Sequence, residues 1–305
     1  MKRVVRIIGR FMLMAAVGLP LRAAEKQIRV VTTFLPGYCI AAHVAGSHAR
    51  VENLLPGNVS LHDYQLSPGD LARFSRADVI LINGLGMETF LDRAIRNSGP
   101  ETKTRIVTLT AGFHSELIHQ HAQHRAEPGH DHAHDHAHDP HVWLDPRLMA
   151  RCVTNAVRAF QKADPANADA YAKNGATYIQ KLHALDADLE KQLAPVKNLP
   201  FVTYHDAFRY FIRRYGLVLA GVVEQVPEIP PSARELSSLL KTIREKKVKA
   251  LFTEPGERSR LAERIAEDAG IKLGVLDPLE TGELYPESYE RGMRKNAAAL
   301  LEGLR

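Results

Sequence analysis

The segment DPANADAYAKNGATYIQKLHALDADLEKQLAP, from Asp164 to Pro195, divides the chain. Asp164 followed by Pro165 joins a helix N-cap residue to a first-turn proline, and Pro195 is the next residue that breaks a helix. Between them Tyr171, Tyr178, Leu182, Leu185, Leu189 and Leu193 recur three, four or seven apart, which sets them on one helical face. A helix of about 28 residues at about 1.5 Å per residue runs about 42 Å, long enough to lie along two domains. Gly175 is its weak position, because glycine in a helix interior costs about 1 kcal/mol against alanine. The segment predicts one long, rigid connecting helix over 164–194, between a first half at 25–163 and a second at 195–305.

On both sides of that helix, short β-branched runs alternate with amphipathic stretches, the pattern of parallel sheets with crossover helices. The first half offers strands at Ile28–Thr33, Val51–Leu55, Val79–Ile82 and Ile106–Leu109, and the second at Phe201–Tyr204, Leu217–Val222, Lys249–Thr253 and Leu273–Leu276. Ser232 and Glu235 have capping-box spacing and open a helix, and Gly270 closes the next one. The fold class expected is α/β. A chain of this length exceeds one typical domain, so two domains with separate cores are the default.

The first 24 residues read as an export signal: Lys2, Arg3, Arg6 and Arg10 precede the apolar run Phe11–Leu19, which is too short to span a bilayer. The first cysteine after it is Cys39, so no lipid-anchoring cysteine follows the run. The leader carries five of the chain's 40 basic residues and no acidic ones, which leaves 35 basic against 35 acidic side chains. The apparent basicity belongs to the leader, and the case for a nucleic-acid surface disappears with it. Cys39 and Cys152 could pair in an oxidising compartment or stand as two small buried side chains. They are too far apart to form a CxxC pair. Asn83-Gly84-Leu85-Gly86 begins like a dinucleotide loop, but Thr89 stands where a third glycine belongs, so it reads as a strand-to-helix turn.

Ten of the fifteen histidines fall between His114 and His141, among Gly, Asp, Pro and Ala. A segment of that composition cannot bury a core and is expected to form a mobile loop over 114–140. Histidine is the commonest neutral metal ligand. His43, His48 and His183 lack partners in sequence and read as ordinary side chains. His62 lies between a predicted strand and a helix, His205 follows the strand Phe201–Tyr204, and Asp277 follows Leu273–Leu276. These are the strand ends where open α/β sheets place ligands. His141 sits in Asp139-Pro140-His141-Val142-Trp143-Leu144-Asp145-Pro146, where two prolines restrict the backbone. Taken singly, each reads equally as a polar side chain hydrogen-bonded at a strand end. Together they supply three imidazoles and one carboxylate, two donors from each half, the kind of set that tetrahedral zinc takes. Imidazole suits zinc, whereas manganese is better served by oxygen-rich sites.

HDYQLSPGD (His62 to Asp70), DPHVWLDP (Asp139 to Pro146), VTYHDAFRYF (Val202 to Phe211) and GVLDPL (Gly274 to Leu279) resemble the motifs of zinc-uptake solute-binding proteins, the extracytoplasmic components of metal-importing ABC transporters. The likeness runs in order along nearly all of the chain beyond the leader. It implies two lobes of four-stranded parallel sheet flanked by helices, joined by one long helix, with Zn²⁺ in the cleft. Carried over position by position, the ligands are His62, His141, His205 and Asp277. Manganese-binding relatives usually have a glutamate at the position of His205. Leu61 offers no acidic donor beside His62, so Asp277 or water completes the shell. The His-rich insertion also has a counterpart, whose implied role is weak multivalent capture by His130, His132, His134, His136 and His138. The resemblance further implies a periplasmic monomer whose partners are the zinc ion and a membrane permease, and not an enzyme. The alternatives are a manganese or iron component of a similar importer, or a secreted zinc hydrolase using three histidines and a metal-bound water. No HExxH accompanies the histidines.

Overall fold

The computed structural model describes residues 27–57, 59, 64–119, 138–224, 230–256 and 259–305. The expected leader, His62 and the histidines at 121–136 lie outside them. No helix among the described residues is long and apolar enough to cross a membrane.

The first lobe alternates as read from the sequence: β1 (Ile28–Thr32), α1 (Leu35–Ala45), β2 (Ala49–Asn53), α2 (Pro68–Arg76), β3 (Val79–Ile82), the short α3 (Asp92–Asn97) and α4 (Pro100–Lys103), β4 (Ile106–Thr108) and α5 (Pro146–Ala163). The connecting helix is α6 (Ala168–Leu193). The second lobe holds β5 (Pro200–His205), α7 (Arg209–Tyr215), β6 (Val218–Glu224), α8 (Ala233–Glu245), β7 (Ala250–Thr253), α9 (Arg260–Ala269), β8 (Lys272–Val275) and α10 (Ser288–Leu304). Both sheets are parallel and share one order, β2-β1-β3-β4 and β6-β5-β7-β8. Parallel sheets are covered by their crossover helices on both faces, so central β3 reads as an unbroken apolar run, VILI, and β7 as ALFT, apolar up to its last residue.

Local signals set the boundaries. Ser67 and Asp70 make a reciprocal capping box that starts α2 after the His62 segment, and Ser232 with Glu235 does the same for α8. Gly270 ends α9 in the left-handed region at φ 65°. The expected 28-residue helix is a 26-residue α-helix with a tight turn at each end, Pro165–Asn167 and Ala194–Val196. Its six predicted face residues are all buried, and Gly175 is buried with them. A Cβ on Gly175 would lie 2.3 Å from Val157 Cγ2, so glycine is what lets α5 and α6 approach.

The expectation of separate cores gives way to one continuous core. It runs from Val30 and Phe34 through Trp143 and the buried face of α6 to Tyr289 and Leu304, while a smaller cluster lies in each lobe. The lobes are therefore joined by an apolar seam as well as by the helix. Asp186 of α6, 3% exposed, ties the seam electrostatically to both sides, through Arg147 of α5 and Arg214 of α7. Cys39 and Cys152 are free and buried, and burial pushes both thiols up to about 12. The Gly84–Gly86 segment is a turn with positive φ at all three residues. The amides of Asn83 and Gly84 donate to the carboxylate of Glu88, so these groups hold a side chain of the chain itself.

Candidate metal centre

Asp139 and Pro140 set the approach to His141, and Asp145 and Pro146 start α5 just beyond it. The short helical turn Val142–Leu144 between them buries the His141 ring, leaving it 5% exposed. Asp139 Oδ1 accepts from the His141 backbone amide at 2.9 Å and lies 2.7 Å from His141 Nδ1. Nε2, the other ring nitrogen, lies 3.2 Å from Glu280 Oε1, a carboxylate of the second lobe. Burial opposes charge on this imidazole, yet the Asp139 and Glu280 carboxylates outweigh it and push His141 up to about 10. The pocket is built to hold positive charge.

His205 ends β5 in the second lobe, and its Nδ1 lies 2.8 Å from Glu254 Oε1 just after β7. Each lobe thus presents an imidazole whose Nδ1 is engaged by a carboxylate, the arrangement that orients a histidine as a metal ligand. The two rings meet across the cleft with centroids 5.6 Å apart and planes at 79°. Two imidazoles bound tetrahedrally to one ion at roughly 2.0–2.1 Å have ring centres roughly 5 Å apart, so the separation suits a shared ion.

The fourth expected residue is placed differently. Asp277 follows β8 as expected, but its Oδ1 accepts from the amide of Leu279 at 2.8 Å, making a turn cap. Burial raises its pKa; the Leu279 hydrogen bond opposes this, and the negative charges of Glu254 and Glu280 add to it. Sequence reading overlooked Glu280, which stands three residues further on and is 8% exposed. The signal was a second carboxylate in the same strand-end loop. His62 lies outside the described residues. Of its flanking motif, Tyr64 donates to Asp70 and to the Leu54 carbonyl, and Asp70 pairs with Arg73. Ser67 and Tyr64 bonds, with Arg73, outweigh burial and hold Asp70 down at about 2. Among the described residues no group of three or more His, Cys, Asp or Glu side chains closes by itself into a metal-holding set.

The expected loop at 114–140 is docked at its base. Leu117 and Ile118 pack against the core, Tyr210 donates to the Asp139 carbonyl, and Asp139 N donates to Ile118 O at 2.8 Å. His119 and His138 form an antiparallel bridge with ring centroids 4.5 Å apart. Of the auxiliary histidines, His138 alone is described.

Residues 30–303 match the family model described as the periplasmic zinc-uptake complex component A. The chain belongs to this zinc-uptake family. Its members are solute-binding proteins of metal transport and not enzymes. The zinc-binding protein AdcA of Streptococcus pyogenes is 33% identical over 294 residues, which cover 91% of this chain and 56% of that protein. The chain spans about half the length of that relative. The high-affinity zinc uptake system protein ZnuA of Bacillus subtilis is 32% identical over 285 residues, covering 91% of this chain and 88% of the relative. The SBP FpvC from Pseudomonas aeruginosa, solved in complex with Mn²⁺, superimposes with a TM-score of 0.77 at 28% identity, covering 92% and 98% of the two chains.

Proposed function

We propose that this zinc-uptake family member captures Zn²⁺ between its lobes, outside the cytoplasmic membrane, and delivers it to the permease of an ABC-type importer. The observation that carries the reading is the meeting of His141 and His205 from opposite lobes, each with Nδ1 on a carboxylate and with Glu280 against His141 Nε2. His62, His141 and His205 supply the nitrogen donors. Glu280 is favoured over Asp277 as the carboxylate donor, because the cap to Leu279 engages an oxygen of Asp277. Three imidazoles favour zinc over manganese, and protein donors at all four positions leave none open for a catalytic water. The His-rich tract feeds the cleft by weak capture. Release follows separation of the lobes at the permease, which parts His205 from His141. Capture displaces protons from the imidazoles, so apparent affinity falls on acidification.

Competition titration of the exported chain with Zn²⁺ and Mn²⁺ tests this. One tight site with preference for Zn²⁺ is expected, lost by orders of magnitude in His141→Ala and His205→Ala. Preference for Mn²⁺ overturns the zinc assignment, and unchanged affinity in either variant removes that residue. Glu280→Gln weakening binding more than Asp277→Asn identifies the carboxylate, and the reverse order restores Asp277. Metal-dependent esterase or peptidase turnover would favour a hydrolase instead.

A further inference from the structure

The turn Asp277-Pro278-Leu279-Glu280 is held from both sides of the seam. Asn296 of α10 is 2% exposed, and both edges of its amide are spent on one residue: Oδ1 accepts from the amide of Asp277 at 2.8 Å and Nδ2 donates to the Asp277 carbonyl at 2.7 Å. From the first lobe, Trp143 Nε1 donates to the Pro278 carbonyl at 2.7 Å, and the Leu35 amide donates to the Glu280 carbonyl at 3.3 Å. Trp143 is itself fixed, since Tyr289 of α10 donates to its carbonyl at 2.6 Å.

The residue that aims Glu280 is strained. Leu279 has φ 61°, one of three non-glycine residues in the left-handed region among the described residues. A leucine there is strained and persists only where its surroundings over-determine it. The cap from Asp277 Oδ1 to the Leu279 amide is one such restraint. Gly292 supplies another, because a Cβ on it would lie 2.2 Å from Leu279 Cδ2, so only a bare α10 surface accepts the Leu279 side chain. Returning Leu279 to ordinary φ would swing the next residue away from His141 Nε2.

We propose that Asn296 and Trp143 are positioning residues that lock this turn so that Glu280 faces His141, and thereby set the strength of metal binding from outside the ligand set. This inference rests on the reading of Glu280 as the carboxylate donor.

The test is a double-mutant cycle on the full exported chain, read by zinc competition titration and by the d–d bands of the Co²⁺-loaded protein. Asn296→Ala should weaken zinc about 10–100-fold, the usual effect of losing a partner that orients a ligand. Its Co²⁺ spectrum should move towards that of Glu280→Gln. In the Glu280→Gln background Asn296→Ala should add little further loss, because residues acting through one group are non-additive. Equal losses in both backgrounds, or wild-type affinity with a wild-type Co²⁺ spectrum, would overturn the positioning role. Wild-type affinity in Glu280→Gln alone would instead remove Glu280 as a donor, a failure visible before Asn296 is touched. Should Asn296→Ala not fold, Trp143→Phe keeps an aromatic ring in the core, deletes the bond to Pro278, and is held to the same two outcomes.

Discussion

Gly175→Ala sets two known magnitudes against each other in the middle of the connecting helix. Helix propensity alone makes the substitution stabilising by about 1 kcal/mol, since alanine loses less backbone entropy than glycine. The structure places the new methyl 2.3 Å from Val157 Cγ2, far inside the optimum of about 3.5–4.0 Å between carbons. Val157 is β-branched on a helix and has one strongly preferred rotamer, so its methyl cannot turn aside and α5 must shift. Such overpacking costs about 1–3 kcal/mol, which outweighs the propensity gain and leaves a net loss of about 1 kcal/mol. In a Val157→Ala background the obstructing methyl is gone, and the same substitution should become stabilising by up to about 1 kcal/mol. The assay is denaturant unfolding of the four proteins of the cycle, followed by circular dichroism. The expected result is a reversal of sign between backgrounds. Gly175→Ala stabilising the wild type, or acting alike in both backgrounds, would refute the account of the α5–α6 crossing.

Other consequences are equally direct. Asp186→Ala removes the buried partner of Arg214 and leaves it only the half-exposed Glu190 at 3.3 Å, and should cost about 1–3 kcal/mol, whereas Arg147→Ala, whose side chain is 59% exposed, should cost under about 1 kcal/mol; equal effects in thermal unfolding would contradict the buried-pivot account. Glu88 is 6% exposed, and burial lifts it to about 7 against the hydrogen bonds from Asn83, Gly84 and Thr33. Its stabilising protonated form is fully present below the ordinary glutamate range and lost as pH rises through about 7. The stability advantage of wild type over Glu88→Gln should therefore shrink from pH 5 to pH 8 by up to about 3 kcal/mol, and a pH-independent difference would dismiss the shift. Replacing residues 119–138 by a short Gly-Ser link should lower zinc stoichiometry yet keep one tight site, because Ile118 O and Asp139 N already meet at 2.8 Å. Loss of the tight site would show that the metal is bound elsewhere.

Much of this protein was legible in order along its chain. The strand runs, the apolar face Tyr171–Leu193, the Ser232–Glu235 box and the Gly270 stop all depend on residues within a few positions of each other, and each appears where its spacing places it. His141 and His205 were legible for a related reason: both stand beside local landmarks, two prolines or a strand end, and parallel topology carries strand ends to one edge. The shared core was not, since burial across the seam depends on which faces meet and not on the period of either.

The carboxylates show most plainly where one-dimensional reading stops. Asp277 and Glu280 are three residues apart in one loop, and composition favours neither. A left-handed Leu279, a bare Gly292 and the two-edged grip of Asn296 determine which one lies against His141. Glu254 and Asp139 were equally silent until folding put each beside a ring nitrogen. Short-range periodicity and capping thus determined the elements, their order and the histidines at their ends. The direction of each side chain across the cleft was decided only in three dimensions, because it depends on backbone angles and hydrogen bonds supplied by residues distant in the chain.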